Sequence, residues 1–86
     1  MQQSARAAIE QQMRAVAAEH HRRLAPLRDD LALKDSGLDS LCLAVLMLRL
    51  ENELGIDAFL ESETLDQRVT LAALAGLYQR VLNRAG

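Results

Sequence analysis

At 86 residues, half of them hydrophobic and only 2% aromatic, the chain has room for one small domain and too much apolar content for disorder. A single cysteine excludes an intramolecular disulfide, and the longest apolar run, Leu41 to Leu48, is too short to cross a bilayer. A net charge of −2 with no basic stripe and no stacking aromatics excludes a nucleic-acid binder, and no basic-then-apolar leader is visible, so a cytoplasmic setting is expected.

The Leu- and Ala-rich composition favours packed helices over sheet, so an all-α fold is expected. One domain is expected over residues 1–86, ordered from about 5 to 83. The first helix should start at a Ser4 N-cap and run to about His21 or Leu24. Ile9, Met13, Val16, Ala17 and His20 share its apolar face. Pro26 bars continuation. Residues 25–39 read as a long loop in which Leu27, Leu31 and Leu33 pin the chain to the core. A loop of about fifteen residues in so small a domain is often functional. Asp35-Ser36-Gly37 supplies turn chemistry, with Gly37 free to take positive φ.

The second helix is expected over Ser40–Leu54, capped by Asp39 and stopped by Gly55. Ten of its fifteen residues are apolar, more than one buried stripe needs. At about 100° per residue, Leu43, Leu46, Met47, Leu50 and Leu54 fall on one face. Leu41, Ala44, Val45, Leu48 and Asn52 fall on the opposite one. The first set reads as core and the second as a solvent-facing apolar patch for a partner. The plainer alternatives are a helix sandwiched between two others, or a homodimer seam. A brief third helix is expected around residues 62–67. A last helix should follow a Thr70 cap and run to about Asn83, burying Leu71, Leu74, Ala75, Tyr78, Val81 and Leu82. Arg80 and Arg84 favour the negative end of its dipole, and Tyr78 and Phe59 read as core.

Charge is uneven. Residues 1–30 carry net +1, residues 31–67 net −6 and residues 68–86 net +3. The acidic middle surrounds Ser40, so a basic partner surface would be steered there. Gly37-Leu38-Asp39-Ser40-Leu41 places a serine hydroxyl at a helix N-terminus. First-turn N–H groups without intrahelical partners and the helix dipole both favour an anion there, so a phosphate ester at Ser40 is well accommodated. No G-x-S-x-G is present, and neither His20 nor His21 shares the Ser40 motif, so a hydrolase triad has no support. Adjacent His20 and His21 point about 100° apart and suit no shared metal. One of them is expected to pack and the other to be solvated. Cys42 reads as a small apolar filler near the core edge rather than a reactive thiol.

The block Asp35 to Ile56, DSGLDSLCLAVLMLRLENELGI, resembles the acyl carrier protein family, which includes acyl, aminoacyl and peptidyl carriers. The likeness rests on Asp39-Ser40-Leu41, the apolar periodicity that follows, Glu51-x-Glu53 before Leu54-Gly55-Ile56, and Thr70-Leu71 opening the last helix. It implies a four-helix bundle with a long first loop and a short third helix. Ser40 would then carry covalent 4′-phosphopantetheine, added by a separate phosphopantetheinyl transferase, and the protein would not be an enzyme. The thiol arm would hold an acyl, aminoacyl or peptidyl thioester. Further partners would be an acyl- or aminoacyl-loading ligase and a downstream synthase or transferase.

Asp35 and Asp39 match acidic positions that help dock basic partners in the family, and Leu41 matches an apolar contact position. Ala44, Val45 and Leu48, with Arg49 nearby, stand where fatty-acid-synthesis carriers are acidic. That points to a specialised carrier in a secondary-metabolite, aminoacyl or lipid pathway, docking by apolar packing more than charge. A monomer without membrane insertion is expected. The competing expectation is a helical adaptor that binds through the outer face of helix two, with Ser40 a plain cap.

Overall fold

The structure, a computed structural model, describes residues 4–55 and 69–85. Within them lie three helices of fifteen residues each: α1 (Ala5–Glu19), α2 (Ser40–Leu54) and α3 (Leu71–Ala85). A single 3-10 turn, Leu33–Asp35, and one isolated antiparallel bridge between Ala32 and Thr70 complete the regular structure of the described residues. The expected helix at 62–67, and Phe59, lie outside them.

Each helix begins where its cap chemistry directs. The Ala7 N–H donates to Ser4 Oγ at 3.2 Å, the Cys42 N–H to Asp39 Oδ1 at 2.9 Å and the Ala73 N–H to Thr70 Oγ1 at 3.2 Å. Each bond satisfies one donor that the helix itself cannot. Helix α2 ends as expected on Gly55, whose φ of 71° is left-handed and whose N–H donates to the Glu51 carbonyl.

The end of α1 departs from expectation. The helix stops at Glu19, well before Pro26, through a Schellman arrangement. The His21 N–H donates to the Ala18 carbonyl and the Arg22 N–H to the Ala17 carbonyl at 2.8 Å. His21 takes the left-handed position with φ 55°, which a residue with a Cβ adopts at a cost of about 1 kcal/mol. His20 and His21 are both exposed, which corrects the placement of His20 on the apolar face. That face is continued instead by Ala5 and Ala8, both buried near the start of α1.

The core joins Ile9, Met13 and Val16 of α1 to Leu43, Leu46 and Leu50 of α2 and Leu71, Leu74 and Tyr78 of α3. Fully burying such side chains contributes about 1.5–3 kcal/mol each. The Tyr78 hydroxyl donates to Met47 Sδ at 3.3 Å, so this aromatic stays inside without an orphaned polar tip. The long segment between α1 and α2 is tied down at both ends. Leu33 and Leu38 are buried, and Leu27 packs against the core. The Leu33 N–H donates to the Val69 carbonyl at 2.9 Å, and the Leu71 N–H to the Leu31 carbonyl at 2.8 Å. Those bonds hold the loop to the start of α3 and leave the start of α2 at its far end.

Candidate functional site

Ser40 is the first residue of α2 and is exposed. Three neighbouring residues shape the turn that presents it. Ser36 is fully buried; its hydroxyl donates to the Leu33 carbonyl at 2.6 Å and accepts from the Leu38 N–H at 3.3 Å. Gly37 has φ 97°, and a Cβ there would lie 2.2 Å from the Arg23 carbonyl oxygen. Only glycine fits that close approach of two backbones. The Ala25 N–H donates to the Ser36 carbonyl at 2.9 Å and closes the same contact. The turn before Ser40 is therefore braced by residues 23–25 rather than loose.

Asp39 does two things at once. Its Oδ1 accepts the Cys42 N–H, and its Oδ2 accepts from Arg22 Nη2 at 2.5 Å. The Cys42 N–H, then the nearby positive charges of Arg22 and His20, hold the Asp39 carboxyl below the usual carboxylate range. Arg22 thus tempers the acidity expected around Ser40. Asp35 is exposed at the end of the 3-10 turn. Cys42 is buried, in keeping with a filler role, and among the described residues no group of three or more His, Cys, Asp or Glu is placed to hold a metal ion.

On the outer face of α2, Leu41 is 65% and Leu48 61% exposed, and Ala44 is exposed too. Val45 is half-buried and packs against the core, so it borders the patch instead of standing in it. Asn52 is exposed as expected. Arg49 is engaged by Glu19 of α1 through an ion pair, which takes its charge off the outer face.

The model of the phosphopantetheine attachment site family matches residues 11–78. The chain belongs to this family. Carrier domains of this kind are non-catalytic, bind 4′-phosphopantetheine covalently, and are served by a phosphopantetheinyl transferase and partner synthases. No curated protein and no solved structure gave a match. Among the described residues of this carrier, no helix is long and apolar enough to cross a membrane.

The residues at the start of α2 suit a phosphodiester. The N–H groups of the first turn have no intrahelical carbonyl to meet, the dipole there is positive, and a guanidinium stands beside the cap. Arg22 went unmarked in the sequence of this carrier, and Ser36 was marked only as part of a turn, not as the buried hydroxyl that braces it. Ser36 had a local signal, the Asp-Ser-Gly turn; Arg22 had none, because its partner lies seventeen positions away.

Proposed function

We propose that the chain is a single carrier domain, residues 1–86, in which Ser40 is the phosphopantetheine attachment residue. One observation carries this reading. The family match spans the Asp39-Ser40-Leu41 turn, and that turn presents an exposed serine as the first residue of α2. In the attachment step a bond forms between Ser40 Oγ and the β-phosphorus of coenzyme A. The pyrophosphate bridge breaks, 3′,5′-ADP departs, and the serine proton passes to a base on the transferase. The arm then supplies a thiol that holds acyl or aminoacyl groups as thioesters. Within this chain, Asp39 caps the helix so that the serine keeps its position, and Gly37 lets the turn before it pack against the Arg23 backbone.

The partner face is Leu41, Ala44 and Leu48, bordered by Val45, with Asp35 and Asp39 at its edge. Its apolar character, and the withdrawal of Arg49 into a pair with Glu19, support a specialised role in a secondary-metabolite, aminoacyl or lipid pathway. A loading ligase and a downstream synthase or transferase are the enzymes it would meet, as a monomer in the cytoplasm. Incubation with coenzyme A and a promiscuous phosphopantetheinyl transferase, read by intact mass, tests the reading. The wild-type chain should gain one arm and Ser40→Ala none. An unmodified wild type would overturn it and favour a helical adaptor, the reading that the exposed Leu41 and Leu48 equally support.

A further inference from the structure

The attachment turn poses an electrostatic problem that its helix alone does not solve. Asp39 sits next to Ser40 in the chain, about 3.8 Å away between Cα atoms. Its carboxylate already occupies the helix N-terminus by accepting the Cys42 N–H. A phosphodiester on Ser40 brings a second full negative charge to the same helix start. The macrodipole offsets only about half a charge.

Arg22 meets this need, and the fold goes to some length to put it there. It is the residue immediately after the left-handed His21, the sole non-glycine residue with positive φ among those described. The Schellman bonds of His21 and Arg22 turn the chain back at the end of α1. The approach of the Arg23 carbonyl to Gly37 then clamps the next residue against the attachment turn. Between these two constraints Arg22 reaches Asp39 Oδ2 at 2.5 Å. Its side chain remains about half exposed, so the guanidinium is open to solvent while it holds the residue next to Ser40. The bond to Asp39 engages one terminal nitrogen. A guanidinium carries five N–H donors in a planar fork suited to a second oxyanion.

We propose that Arg22 is a positioning residue of the attachment site: a standing counter-cation that holds Asp39 before modification and shares its charge between Asp39 and the phosphodiester once Ser40 is loaded. With Arg22 in place the local charge of the loaded turn is about −0.5; without it, about −1.5. The guanidinium thereby keeps the Asp39 cap intact in the loaded protein and draws the root of the arm towards the end of α1. This rests on Ser40 as the attachment residue.

Intact mass comes first: if wild type takes up no arm, the carrier reading falls and this proposal with it. With loaded wild type in hand, the bound phosphodiester is read by 31P NMR and the Arg22 side chain by its 15Nε resonance. Wild type is compared with Arg22→Gln, Arg22→Lys and, as a neighbouring-charge control, Arg23→Gln. The Arg22 Nε resonance should move on loading. The 31P resonance should shift in Arg22→Gln, return towards the wild-type value in Arg22→Lys, and stay put in Arg23→Gln. A 31P resonance indifferent to Arg22→Gln, or equally shifted by Arg22→Lys and Arg23→Gln, overturns the proposal while leaving Ser40 attachment standing. A purely structural role for Arg22 would disturb amide signals around Asp39 and leave the 31P resonance unmoved, which also overturns it.

Discussion

Helices α1 and α2 are matched in length, both capped by a short oxygen-bearing side chain, and each buries six residues. What they leave outside differs. Off its core face, α1 carries Arg6, Glu10 and Arg14, linked in i,i+4 ion pairs, as an ordinary solvated helix does. Off its core face, α2 carries Leu41, Ala44 and Leu48. The apolar surplus of α2 lies outside its buried set, with Leu41 and Leu48 mostly exposed, so it is not part of the packing that holds the helices together. Leucines that contribute little to folding, beside a serine at the helix start, are what a docking surface requires.

The contrast can be broken at several strengths. The largest effect is all-or-none: Ser40→Ala should abolish arm transfer in a mass assay while leaving thermal stability within about 0.5 kcal/mol of wild type. Next comes the core against the patch. Leu46→Ala, at a fully buried site, should destabilise by about 2–5 kcal/mol in chemical denaturation, as should Met13→Ala in α1. Leu48→Glu should change stability by less than about 0.5 kcal/mol, yet lower kcat/KM for a phosphopantetheinyl transferase by about tenfold or more. If Leu48→Glu is instead as damaging to folding as Leu46→Ala, the two faces of α2 are not distinct and the comparison fails.

The brace behind Ser40 falls at the lower end of the range for the core truncations. Gly37→Ala should destabilise by about 2–3 kcal/mol, since the new methyl meets the Arg23 carbonyl in a left-handed backbone. At the end of α1, His21→Gly should have the opposite sign, stabilising by about 0.5–1 kcal/mol as the left-handed position is relieved. Thermal melts of the two variants side by side would check both signs. The mildest effect is on pH. The Asp39 carboxyl is held below its ordinary value, so its contribution to stability is complete above about pH 4 and is lost as pH falls through the lower folded value. A 13C NMR titration should place its midpoint below that of an exposed aspartate. Asp39→Asn, which keeps a capping oxygen, should remove that portion of the acid dependence.

How far the site was legible follows from the range over which each signal acts. The caps Ser4, Asp39 and Thr70 were readable because a side chain three residues from an orphan N–H is a local matter. The core face of α2 was readable because Leu43, Leu46, Met47, Leu50 and Leu54 repeat at the helical period. Val45 was assigned wholly to the outer face because it lies near the boundary between faces, where packing against neighbouring segments, not periodicity, decides exposure. The end of α1 was misplaced for a similar reason. Its C-terminal motif uses His21 where glycine usually stands, so the stop carried no sequence mark.

The order of residues alone determined that this chain forms capped helices, that one of them holds more apolar side chains than its core can use, and that a serine opens that helix; each depends on contacts within about four positions. Only the tertiary structure decided that Arg22 lies on Asp39, that Gly37 must yield to the Arg23 backbone, and that Arg49 is spoken for by Glu19. Those contacts join residues fourteen to thirty positions apart, and neither helical period nor turn chemistry brings such residues together. Burial of the shared core does, by bringing the end of α1 against the start and the flank of α2.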